Sequence, residues 1–150
     1  MRFNLMNMMN IQWKGGLAFE ATGENSGYTF TLDSLPETGG QGLGPTPVEA
    51  LLASLAACAA MDVVSILQKK RQEVKEYRIE VESKRSEPGE WPRPVTDVTI
   101  RHIISGVNLD PTAVQRSVEL SEEKYCTVLA TLRQNPNVKS TIEITETVAS

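Results

Sequence analysis

Read for alternation and helical recurrence, the chain falls into a short series of elements. Ile11–Thr22 and Gly27–Asp33 carry Trp13, Leu17, Phe19, Tyr28, Phe30 and Leu32 in partial alternation, with Asn25-Ser26-Gly27 as a turn between them, and predict two strands. Leu35–Gly44 holds four glycines and one proline, which predicts a mobile loop in front of a helix. Thr46, Pro47 and Glu49 form a cap, a first-turn proline and the acid of a capping box, so a helix is predicted from there to about Glu73. Tyr77–Lys84 and Val95–Ser105 alternate again around the Pro-rich turn Glu87–Pro94 and predict an antiparallel pair. Asp110-Pro111 opens a second predicted helix, with Val114, Val118, Tyr125, Val128, Leu129 and Leu132 at helical spacing up to about Arg133. Asn135-Pro136-Asn137 stops it, and Val138–Thr145 alternates as a closing strand. The order β-β-α-β-β-α-β has no repeated unit and reads as α+β.

The first helix departs from an ordinary amphipathic pattern. Between Leu51 and Val64 only Ser54 and Asp62 are clearly polar, so apolar residues occupy almost the whole circumference. Such a helix is buried on most sides. In a chain of 150 residues that is met most simply by a sheet on one side and a partner subunit on another.

Length and charge narrow the classes. The chain suits a single domain over 1–150, with 1–10 a loose N-terminal extension. The formal net charge of -4 and the absence of a recognition motif argue against a nucleic-acid partner. No uninterrupted apolar run of about 18 residues suggests membrane association. The first ten residues lack the apolar core of a signal peptide, and two cysteines without an export signal suit thiols in a reducing compartment. Cytoplasmic location is expected.

Those cysteines are the candidate chemistry. Cys58 lies mid-helix among Ala56, Ala57, Ala59 and Ala60, with Asp62 one turn on. Cys126 follows Glu122 and Glu123 by one turn, and carboxylates at that spacing disfavour a thiolate. A buried cysteine is often only a small hydrophobe, and activation of Cys58 requires a cation delivered from elsewhere in the fold. There is no CxxC. His102 is the only histidine, with no cysteine or second histidine at ligand spacing, so neither a metal nor another cofactor is expected. No G-x-S-x-G or G-K-[ST] occurs to support a serine hydrolase or a phosphate-binding loop.

The segments Gly44–Arg71 (GPTPVEALLASLAACAAMDVVSILQKKR) and Leu120–Leu132 (LSEEKYCTVLATL), supported by WKGGLAFEA near the start and SGVNLDP before the second helix, resemble the OsmC/Ohr family of osmotically inducible and organic-hydroperoxide-resistance proteins. The resemblance is closest to its less characterised OsmC-like branch. It implies an intertwined homodimer with a curved, largely antiparallel sheet, two long central helices and sites at the subunit interface. It also implies a thiol-dependent peroxidase (an oxidoreductase of antioxidant defence) that reduces organic hydroperoxides. Cys58 takes the peroxidatic role, Cys126 the resolving role, and an external dithiol is the reductant. The alternative on the same scaffold is a non-catalytic redox-sensing or hydrophobic-ligand-binding protein.

Three departures from the family pattern stand out. Glu49 is the first acid before Cys58 and matches only the second of the acids found there, Cys126 is followed by Thr127 and not proline, and no arginine occurs between Arg2 and Arg71 to steady a Cys58 thiolate. Nine residues of helix separate Glu49 from Cys58 by about 13.5 Å. Glu49 therefore caps its own helix or serves a site across the dimer.

Overall fold

A computed structural model describes residues 7–134 and 138–143. Strands β1 (Met9–Trp13), β2 (Phe19–Gly23) and β3 (Thr29–Leu32) form an antiparallel sheet in sequence order. Helix α1 (Pro47–Lys69) follows, then the long hairpin of β4 (Glu73–Arg85) and β5 (Val95–Val107). Helix α2 (Pro111–Leu120), a π turn (Ser121–Tyr125) and helix α3 (Thr127–Arg133) complete the described elements. The architecture is α+β, with the sheet as two antiparallel pieces.

Several boundaries differ from the sequence reading, each for a local reason. Ile11–Thr22 is two strands, because Gly15 and Gly16 take φ of 98° and 55° and let Lys14 N–H donate back to Ala18 O at 2.9 Å. Met9 and Asn10, expected in a loose extension, pair with Gly23 and Thr22. Helix α1 stops at Lys69, short of Glu73, where Arg71 enters the left-handed region at φ 56° and Gln72 N–H donates to Leu67 O. Of the expected closing strand, residues 138–143 show no strand pairing and 144–145 lie outside the described residues. The expected terminator at 135–137 also lies outside them.

The loop at 35–44 contains a short 3₁₀ turn, Pro36–Thr38, and is tied by hydrogen bonds. Buried Asp33 sits at its centre, and its carboxylate accepts from the N–H groups of Ser34, Gln41 and Leu43 at 2.7, 3.0 and 3.1 Å. These bonds hold its carboxyl below the usual range, that from Leu43 most strongly. Glycine is required for close approach: a Cβ at Gly44 would run into the Thr31 carbonyl, and one at Gly40 into that of Ser34. The loop thereby delivers the chain to α1, whose capping box forms as expected.

Helix α1 buries one stripe, Leu55, Ala59, Val63 and Leu67, spaced four residues apart. Contacts with β4, α2, the π turn and α3 cover that stripe. By length and composition alone α1 is apolar enough to cross a bilayer, with a mean hydropathy of 2.1 over 18 residues, which corrects the reading made from uninterrupted runs. Its buried stripe packs against four other elements, as the central helix of a domain does. Other positions stay uncovered in the single chain, with Met61 72% exposed. The first sheet shows the same imbalance. Register places Met9, Ile11, Trp13, Phe19, Phe30 and Leu32 on one face and Asn10, Gln12, Glu20, Thr22, Thr29 and Thr31 on the other. On the apolar face Trp13 is 63% and Ile11 55% exposed.

Candidate functional site at the thiol pair

Cys58 projects from the middle of α1 beside the buried stripe, one turn before Asp62. Cys126 arrives by a different route from the one its sequence pattern suggests. The helix opened by Asp110, whose carboxylate accepts from Thr112 N–H at 2.9 Å, does not run unbroken to Arg133. At Ser121 it widens into the π turn, where Cys126 N–H donates to Ser121 O, five residues back, at 2.8 Å. Cys126 itself has extended backbone (φ -69°, ψ 99°) and caps α3, its Sγ accepting from Leu129 N–H at 3.5 Å. The second cysteine is therefore not inside a helix but at the junction of two. The break turns its side chain into the core, where it is 3% exposed and packs with Leu55 and Ala59.

This geometry gathers the site. Both thiols are free, and Cys58 Sγ, Cys126 Sγ and a carboxylate oxygen of Asp62 lie within 4.8 Å of one another. The buried Ser121 hydroxyl stands 3.3 Å from both Ala59 O and Asp62 Oδ2, sharing one proton between helix backbone and carboxylate. Burial pushes the Cys126 thiol up from its ordinary range, and the adjoining Cys58 and Asp62 add to it, while the Leu129 N–H opposes them. A raised pKa and poor thiolate character are as the sequence predicts, but the main cause is burial. Among the carboxylates it is Asp62, and neither Glu122 nor Glu123, that adds to the shift.

Glu49 is elsewhere. Its carboxylate accepts from Thr46 N–H at 2.8 Å and from the Thr46 hydroxyl at 3.0 Å, and these bonds lower its pKa. It is exposed, and the straight helix keeps it about 13.5 Å up the axis from Cys58.

His102 belongs to the hairpin and not to the thiol cluster. Tyr77 OH lies 2.6 Å from His102 Nδ1 with the rings stacked at 5.9 Å, a diagonal pair across β4 and β5. Burial pushes the Tyr77 phenol up to about 12, so it stays protonated and donates to an unprotonated Nδ1. Burial also lowers the His102 pKa, opposed by Glu122, and leaves Nε2 without a partner among the described residues. A lowered histidine pKa favours the neutral folded state. Its contribution to stability is present above the unfolded value of about 6.5 and is lost as pH falls below it toward the folded value. Urea unfolding between about pH 5 and 8 is expected to show a midpoint that falls on acidification, with a shallower fall in His102→Asn.

Two features of the site were not found in the sequence. Ser121 carried no signal, since a serine in a helical pattern reads as surface. Its removal is measurable: Ser121→Ala is expected to lower stability by about 0.5–1.5 kcal/mol in urea unfolding, by deleting a buried hydroxyl bond. The other feature is a groove of about 560 Å³ between α1, the start of β5 and α3, lined by Leu51, Leu55, Val98 and Leu129 and flanked by Arg93 and Arg133. Leu55 and Leu129 also pack in the cluster around Cys126, so the groove and the thiols share a wall.

Comparison with known proteins follows the same outline. A sequence model of the family described as OsmC-like protein matches residues 39–141, which hold both cysteines. The chain belongs to the OsmC-like family. It is 38% identical over 135 residues to Protein YhfA of Escherichia coli K12, covering 89% of this chain and 95% of that one. A hypothetical protein from Aquifex aeolicus VF5 has 30% identity and superposes with a TM-score of 0.72, covering 85% of this chain and 87% of its own. An organic hydroperoxide resistance protein OsmC from Legionella pneumophila superposes with a TM-score of 0.65 at 17% identity, covering 89% and 93%, and at that identity it shows the shared fold. This OsmC-like chain retains two neighbouring thiols within the fold, with Asp62 beside them.

Proposed function

We propose that this OsmC-like protein is a thiol-dependent peroxidase that reduces organic hydroperoxides in the cytoplasm. The observation that carries the reading is the approach of Cys58 Sγ and Cys126 Sγ across α1 and the π turn. The Cys58 thiolate attacks the outer oxygen of the hydroperoxide O–O bond, giving a Cys58 sulfenic acid and, with one proton, the alcohol. Cys126 then attacks the Cys58 sulfur, forming a disulfide and releasing water. An external dithiol returns both thiols by exchange and becomes a disulfide itself. Half-buried Cys58 suits first contact with an oxidant, and buried, high-pKa Cys126 suits the second step. The apolar groove supports a hydrocarbon-bearing substrate.

A homodimer supplies the missing covers. The apolar face of the first sheet and the open sides of α1 are surfaces that a second copy would bury. Glu49, committed within its own chain to capping, reaches a thiol site only across such an interface.

The test is consumption of cumene hydroperoxide by the reduced protein with a dithiol reductant. Turnover linear in enzyme is expected, and no consumption across several alkyl hydroperoxides and reductants would overturn the assignment. The groove favours one second reading, a hydrophobic-ligand-binding protein in which Arg93 and Arg133 attract an anionic headgroup. Lipid retained in native mass spectrometry, without peroxide consumption, would decide for it.

A further inference from the structure

The thiol cluster has an electrostatic composition that the peroxidase reading leaves unused. Two thiols and a carboxylate lie within 4.8 Å of one another. Among the described residues Asp62 makes no ion pair, and no lysine, arginine or histidine contributes to the shift on Cys126. Three groups that become anions, packed together without a cation, repel one another whenever more than one ionises. A bound divalent cation reverses that repulsion and turns each group into a ligand.

We propose that the reduced protein binds one Zn²⁺-type ion through Cys58 Sγ, Cys126 Sγ and a carboxylate oxygen of Asp62. Two thiolates with a single carboxylate are a soft, small donor set that suits Zn²⁺ and not Mg²⁺ or Ca²⁺, which take oxygen ligands. Zn–S bonds of about 2.3 Å and Zn–O bonds of about 2.0–2.2 Å in tetrahedral array place ligand atoms about 3.5–3.8 Å apart. The observed spread of up to 4.8 Å closes to that by contraction of roughly 1 Å. Cys58 and Asp62 are one turn apart on a single helix, and Cys126 is fixed by its own cap, so the ligands come from rigid elements. Ser121 acts as an outer partner: its hydroxyl lies 3.3 Å from Asp62 Oδ2 and orients the carboxylate. Three protein ligands leave a fourth position for water or another small donor.

The inference needs only reduced thiols and does not rest on hydroperoxide turnover. It adds a consequence for the thiols: a loaded ion holds both sulfurs and shields them from alkylating and oxidising reagents until it is removed by a chelator.

The test uses the full-length protein, reduced and stripped with a chelator, then titrated with Zn²⁺ against a chromogenic competitor and with Co²⁺ by absorption. One ion per chain is expected, with thiolate-to-cobalt charge-transfer bands that weaken in Cys58→Ser and in Cys126→Ser and vanish when both are replaced. Asp62→Asn, which removes a direct ligand, is expected to weaken Zn²⁺ binding by at least about 10-fold while retaining the thiolate bands. Should Cys126→Ser fail to fold, slowing of iodoacetamide labelling of the wild-type thiols by stoichiometric Zn²⁺ supplies the same evidence. Absence of competition with the chelator, binding that survives replacement of both cysteines, unchanged affinity in Asp62→Asn, or half an ion per chain would each overturn the site. A protein that binds the ion and consumes no hydroperoxide retains this site and loses the peroxidase assignment, so the two outcomes separate.

Discussion

Cys58→Ser is expected to reduce consumption of organic hydroperoxides to the uncatalysed rate, whatever the dithiol supplied. A serine hydroxyl in that position is of similar size but ionises far too weakly to attack an O–O bond, so the first step has no nucleophile. Cys126→Ser has a different signature. The first step survives, the sulfenic acid on Cys58 has no neighbour to condense with, and the protein should react once and stop. Trapping with dimedone should label Cys58 in Cys126→Ser and leave the wild type largely unlabelled, read by intact-protein mass. The opposite assignment, with labelling on Cys126 in Cys58→Ser, would overturn the order proposed here. That order follows from the environments of the two sulfurs. Cys58 is half-buried at the side of α1, whereas Cys126 is buried and held in the thiol form by its surroundings.

Leu55→Ala is expected to cost about 2–5 kcal/mol in urea unfolding and to lower activity beyond the loss of folded protein. Leu55 is 2% exposed and packs with Ala59 and Cys126, against Ile100, Val128 and Leu129. Its removal leaves a cavity that touches both the core and the wall shared by groove and thiols. The loss of folded protein is read from the midpoint at constant slope, and the loss of activity from turnover per folded molecule. If Leu55→Ala unfolds like the wild type, this cluster is not where the domain draws its stability.

The two parts of the site rest on different kinds of information. Capping at Thr46 and Glu49, the apolar course of α1 and the alternation of β4 and β5 are all local. Each depends on residues within about one turn or one strand pair, and each formed as the sequence implied. The resemblance carried by Gly44–Arg71 and Leu120–Leu132 placed the chain in the OsmC-like family, which the match over 39–141 shows. Glycine was the residue most open to misreading. At Gly15-Gly16 it split a strand, and at Gly40 and Gly44 it admitted close backbone contacts around Asp33 in a loop expected to be mobile.

The sequence by itself determined which two thiols this protein has, the helix that carries Cys58, and the family to which the chain belongs. Tertiary structure alone decided what those thiols meet. Cys126 and Cys58 are 68 positions apart, and their approach depends on a π turn whose extra residue has no marker in SEEKY, since helical periodicity is blind to one slipped hydrogen bond. Packing of the helices also made Asp62 the carboxylate that adds to the Cys126 shift, and set the Ser121 hydroxyl against it. Electrostatics at a buried site is set by distances through space, and those are fixed only when the helices pack.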